Sequence, residues 1–251
     1  HFPSGNPKLT SVRIIKILIG KELSTAFDSW MIYTGYLLFF CICGFVCWLS
    51  PSNVFSMGQA NMLSSFTVIN WTIFFLVHAM TMKSVADEKK SGTLELLLTK
   101  PIRTSQLIAA KFWAQLFIIL IALLLTLPYY ITIAFIGHVD HGSVILGYFG
   151  LIEISACYIS IGIFASSFAK TPVTAFFVSL GIGLCFQLLF GILAQQFGSG
   201  FIAELFAYLS ISEHFDPLSR GILDSRDIIY FTSVITIFLS LAKLFICKTR
   251  F

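Results

Sequence analysis

Charge is what this chain lacks most. Asp, Glu, Lys and Arg make up 11% of its 251 residues, where a water-soluble domain carries about a quarter. A soluble enzyme surface is therefore excluded. No G-x-x-x-x-G-K-[ST] phosphate loop occurs, so the chain is not expected to hydrolyse ATP by itself. H-E-x-x-H and G-x-S-x-G are absent as well, which removes the usual signatures of zinc proteases and serine hydrolases. The six cysteines, Cys41, Cys43, Cys47, Cys157, Cys185 and Cys247, all lie in or at the end of apolar runs. Their spacing fits no zinc pattern, and they read as small apolar residues rather than metal ligands or disulfides. His138 and His141 flank Asp140, a pattern that reads as a solvated turn rather than a metal site. No cleavable signal peptide is expected, because the first apolar run is long and follows a basic, partly polar stretch.

What is present is hydrophobicity. Apolar residues make up 57% of the chain and the mean hydropathy is +0.90, which points to a bilayer as solvent. The net charge of +4 reflects topology in such a chain and gives no argument for nucleic acid. Six apolar segments are long enough to cross roughly 30 Å of hydrocarbon as helices. They lie near Trp30–Leu49, Met62–Met82, Leu107–Ile136, Val144–Phe168, Val173–Phe197 and Ile228–Cys247. The third is too long for a straight span, and Pro128 should kink it or end its regular part. The expected fold is an all-α integral membrane protein, with residues 1–251 as a single transmembrane domain.

Lysine and arginine then set the orientation. Fourteen of the 16 fall on one side of these spans, and only Arg220 and Arg226 fall on the other. The positive-inside rule places both termini and the loop between spans two and three in the cytoplasm. Before span one, Val12, Ile15, Ile19, Leu23 and Phe27 recur at helical spacing, predicting an amphipathic interfacial helix over 8–28. The segment 198–227 is then external. Within it, Phe201–Leu209 is apolar enough for a short re-entrant helix. Asp216-Pro217 reads as an N-cap with Pro at the first helical position of a helix running to Gly221, and Asp224 or Ser225 as the cap of span six.

Glu153 lies near the middle of span four. A carboxylate there is costly and should face protein or water. It reads either as a pathway or proton-coupled site or as a hydrogen-bonded packing group. Gln187 is expected to bridge helices, and Ala156/Ser160 and Gly162/Ser166 form small-xxx-small pairs that favour close packing.

Residues 83–103 form a charged island between two apolar runs. Asp87 and Glu88 precede Lys89 and Lys90, followed by Ser91-Gly92-Thr93. Gly92 permits a bend. Thr93 can cap a short helix with Glu95 in its first turn. Leu94, Leu96, Leu97 and Leu98 give that helix an apolar surface, and Pro101 favours its end. An apolar patch with charged edges suits docking into a groove on a soluble partner. An interfacial helix that only anchors the loop is the plainer reading.

The run from Glu88 to Pro101 resembles the coupling-helix segment of ABC-2 type transporter permeases. Ser219–Phe231 is similar to the external segment leading into the last span of gliding-motility-associated permease subunits of the GldF type. The resemblance implies a half-transporter in a bacterial inner membrane, probed at Asp87 through Leu96 and at Pro101 by its ATPase. It implies a second six-span subunit, the same or a sister one. It also implies two cytoplasmic ATPase subunits, which would bind the ATP and magnesium, with no cofactor on this chain. Two other classes compete. One is an ATPase-driven transmitter of force or signal to an external partner, against which the short external loops argue. The other is an intramembrane enzyme or ion-coupled carrier built on Glu153, which lacks a paired nucleophile or ligand set. A reporter fused at Ser143 is expected to read as external, and a cytoplasmic reading overturns the orientation.

Overall fold

Six long apolar helices run back and forth in a computed structural model that describes residues 7–49, 62–99, 102–137, 139–198 and 200–248. The elements are α1 (Pro7–Phe27), α2 (Trp30–Leu49), α3 (Leu63–Thr81), α4 (Ala86–Lys90), α5 (Thr93–Thr99) and α6 (Thr104–Leu124), followed by α7 (Leu127–Ile136), α8 (His141–Phe168) and α9 (Pro172–Leu184). A π-helical turn, Cys185–Leu189, joins α9 to α10 (Phe190–Phe197). Then come α11 (Phe201–Leu209), α12 (Ile211–Ser219) and α13 (Ser225–Lys248). Helices long and apolar enough to span a membrane are α2, α3, α6 with α7, α8, α9 with α10, and α13. The all-α membrane architecture read from the sequence is thus the observed one.

Local chemistry sets most helix ends. The third span breaks after Leu124 and resumes at Leu127, with Pro128 in the first turn of α7, where its missing N–H costs no hydrogen bond. Asp140 caps α8 by accepting from the Gly142 amide at 3.0 Å. Thr171 caps α9, with Pro172 next in line. Asp224 caps α13, accepting from the Arg226 amide at 3.0 Å.

Packing follows small residues. Phe66 and Thr81, fifteen residues apart on α3, press against Gly147 and Gly162, fifteen apart on α8. The two helices therefore run parallel and in step. A Cβ on Gly162 would lie 2.0 Å from the Thr81 hydroxyl oxygen, and one on Gly147 would lie 2.3 Å from the Phe66 ring. Span six packs along the other flank of α8, where Phe164 meets Phe238 and Phe168 meets Phe245. Tyr36 of α2 donates to the Ile118 carbonyl of α6 at 2.7 Å. Tyr158, fully buried on α8, donates to Gln187 Oε1 at 2.6 Å, which gives Gln187 the bridging role expected of it.

Beyond α10 the chain turns back toward the bundle. Phe206 of α11 stacks against Phe190 and Phe197 of α10. Ser212 donates to the Gln187 carbonyl at 2.6 Å, ten residues back from the end of α10 and thus about 15 Å below it. The helix over 201–209 is as anticipated, but the next one differs. It runs Ile211–Ser219, with Pro217 inside it rather than at its start. Ile211, His214, Phe215 and Leu218 are its buried seam, and that tertiary face outweighs the local Asp-Pro cap signal. The helix ends in a Schellman turn: Ile222 N–H donates to the Pro217 carbonyl and Gly221 N–H to the Leu218 carbonyl. Gly221 has φ +86°, a conformation that favours glycine.

A helix forms over this stretch as α1 and packs against α6. Among its described side chains Leu18 is buried and Val12 is exposed. Lipid-like periodicity alone did not show which stripe α6 would cover. Gly162→Val is expected to destabilise the bundle by roughly 2 kcal/mol through overpacking against Thr81. Gly181→Ala, with nothing within 4 Å of the added carbon, should gain about 0.5 kcal/mol. Unfolding titrations of the purified protein in detergent check both, and equal tolerance would refute the seam.

Candidate functional site

The charged island folds as two short helices joined by a turn at Ser91-Gly92. Gly92 has φ +70°, which lets α4 and α5 meet at a sharp angle. Ser91 Oγ lies 2.8 Å from Thr93 Oγ1, and the Thr93 hydroxyl donates back to the Glu88 carbonyl at 3.4 Å. Thr93 is thus the first residue of α5, not the cap before it. Glu95 stands in the first turn, where its charge complements the free amides.

Half of the island turns inward. The Glu88 carboxylate accepts from Lys111 Nζ of α6 at 2.8 Å, and Glu22 of α1 accepts from the same ammonium at 3.0 Å. The Lys111 side chain is 1% exposed. Lys89 Nζ donates to the Ser167 carbonyl at the end of α8. Leu94 is buried. Ser166, also on α8, accepts from the backbone amides of Val85 and Ala86 at 2.9 Å each and donates to the Met82 carbonyl at 3.1 Å. A side chain from span four therefore serves as the N-terminal cap of α4. Asp87 is half-buried, while Lys90, Ser91, Gly92, Thr93 and Glu95 are exposed. Leu96 lies on α5, and Pro101 lies outside the described residues.

Sequence reading missed Glu22, Ser166 and Lys111 as members of this site. From sequence alone Lys111 reads only as one more positive charge. The usable signal was its place two turns into a long apolar helix, where a charge must find a partner. Gly162 and Ser166 do form a close-packed pair, but only Gly162 acts through size alone.

Glu153 is apart from this cluster. It is half-buried in α8 and has no hydrogen-bond or ion-pair partner among the described residues. No group of three metal-ligating side chains occurs among the described residues. His141 Nδ1 lies 2.6 Å from the Tyr130 hydroxyl, and His138 lies outside the described residues. At the opposite end of the bundle, His214 Nδ1 lies 2.7 Å from Asp227 Oδ1 and its ring stacks on Tyr230 at 4.0 Å. That contact ties α12 to α13.

The island divides in two. Its buried half is welded to α1, α6 and α8, and its exposed half presents charge and hydroxyls. Lys111→Met strands two carboxylates and is expected to cost about 3 kcal/mol. Glu22→Gln should cost less, since Glu88 still answers the ammonium. Combining Lys111→Met with Glu22→Gln and Glu88→Gln should recover most of the loss; thermal unfolding in detergent checks the cycle, and a purely additive triple variant counts against the triad.

A family model described as ABC-2 family transporter protein matches residues 17–247. No curated protein matches the chain. The match runs from the middle of α1 through span six and takes in the whole island. The chain therefore belongs to the ABC-2 family of transporter proteins, as a multi-pass membrane permease rather than a nucleotide-binding domain.

Proposed function

We propose that this chain is the membrane-spanning subunit of an ATP-binding cassette exporter of the gliding-motility-associated type, driven by a separate cytoplasmic ATPase that docks on α4 and α5. One observation carries the reading. The island is held rigidly from inside by Glu88, Lys89 and Leu94, while Lys90, Ser91, Thr93 and Glu95 face outward. A segment built this way can receive a push and pass it on, because its contacts lead directly into spans three and four.

The same end of the bundle gathers the termini of α3, α8 and α13 and the starts of α6 and α9 with their lysines and arginines. That end is cytoplasmic in this reading, in a bacterial inner membrane. Two copies of the ATPase would bind ATP and magnesium, and a second six-span subunit, identical or sister, would complete the pathway. The exposed apolar faces of α2 and α9, which include Tyr33, Leu37, Val173 and Phe177, supply surface for lipid or for that subunit.

Charge reversal at exposed Glu95 together with Lys90→Glu should lower co-purification of the co-expressed ATPase at least about tenfold, a loss of roughly 1.4 kcal/mol. The fold should be unchanged, since neither side chain reaches the buried cluster. Undiminished co-purification, with complex-dependent ATP hydrolysis at the unaltered rate, would refute docking at this segment.

A further inference from the structure

Beside the Lys111 triad lies a cavity of about 460 Å³, bounded by α1, the start of α2, the end of α3, α4 and α6. Its size falls among small-molecule sites, about 300–1,000 Å³. We propose that this cavity binds the headgroup of a phospholipid carrying both a phosphate and a primary amine, the phosphatidylethanolamine class.

Position is the first argument. The cavity sits where two spanning helices give way to the charged island, which is the level at which headgroups meet hydrocarbon. Charge is the second. Three lysines, Lys21, Lys83 and Lys111, face three acids, Glu22, Asp87 and Glu88. A balanced wall complements a zwitterion better than an anionic lipid. The charges are also sorted. Lys21 and Lys83 are exposed and free to meet a phosphate. Glu22 and Glu88 share a single ammonium, so that part of the wall keeps an excess of negative charge for an amine.

Unanswered polar atoms are the third argument. Ser84 Oγ and Glu88 Oε2 are buried on this wall without a hydrogen-bond partner among the described residues. Such atoms are few in a folded chain, and a small side-chain rotation would bring either of them to a group bound in the cavity. The fourth argument separates two amines. Quaternary ammonium groups are recognised by aromatic cages, and no Phe, Tyr or Trp lines this cavity among the described residues. A primary ammonium instead brings N–H donors that carboxylates and hydroxyls accept. Met31, Ile32, Met80 and Ile118 complete the wall with apolar surface. That surface suits the glycerol and acyl portion of a lipid and gives a free, soluble headgroup no reason to stay.

The test uses the full chain alone, so its outcome does not depend on ATPase docking. The protein is reconstituted in vesicles of phosphatidylethanolamine, phosphatidylcholine and phosphatidylglycerol with identical acyl chains, extracted in mild detergent, and weighed by native mass spectrometry. One ethanolamine lipid per chain should be retained, about tenfold over the other two. Lys21→Ala with Lys83→Ala, both at exposed positions, should lower retention of the ethanolamine lipid about tenfold, Glu22→Gln, which leaves one carboxylate to one ammonium, should abolish its preference over the choline lipid, and exposed Glu213→Gln at the far end should keep both. Equal retention of the ethanolamine and choline lipids, preference for the glycerol lipid, or displacement by millimolar soluble phosphoethanolamine each overturns the proposal.

Discussion

An ammonium group two turns into an apolar helix has to be answered by carboxylates, and the architecture at the basic end follows from that requirement. Lys111 cannot reach water, being 1% exposed, and an unpaired buried charge is worth several kcal/mol of penalty. Its partners come from two places far apart in sequence, Glu22 and Glu88. Satisfying one lysine therefore fixes α1 and α4 against α6 together. A buried ion pair of this kind adds little net stability over a well-packed apolar cluster. What it supplies is specificity, because one arrangement of three helices satisfies it and displaced ones leave charge stranded.

Backbone satisfaction makes the same demand nearby. The start of α4 leaves amides free at the membrane boundary, where water is scarce. Ser166 answers two of them from a different span. Within the π-helical turn of span five, Ser212 of the returning hairpin donates to the Gln187 carbonyl. Irregular backbone is tolerated at both places because another segment's hydroxyl reaches it.

Much of this was legible in the sequence, and the reasons are physical. Length and apolarity give the spans, since only a helix satisfies its own backbone in hydrocarbon. Pro128 and Asp224 mark helix ends because capping and the missing proline N–H are local affairs. The misses are those decided at a distance. Pro217 looked like a helix start until Phe215 and Leu218 found Gly150 on α8. Val12 to Phe27 read as an apolar face for the membrane interface, and the side of α1 toward α6 includes buried Leu18. Glu88 read as a docking charge, and no local pattern could reveal that Lys111, twenty-three residues on, turns it inward. Periodicity reports that a face is apolar or charged; it does not report which neighbour it meets.

The paired glycines on α8 have a mechanical consequence. Phe66 and Thr81 occupy notches with the same fifteen-residue spacing as Gly147 and Gly162, so α3 and α8 are keyed at two points about 22 Å apart. Sliding one past the other by a turn would bring Thr81 onto Tyr158 or Ser166, side chains larger than the notch at Gly162. The pair thus has no axial play. Were the island displaced, its ties to α8 through Ser166 and Ser167 would turn or tilt both helices as one stiff blade, and the last span, packed along the flank of α8, would follow.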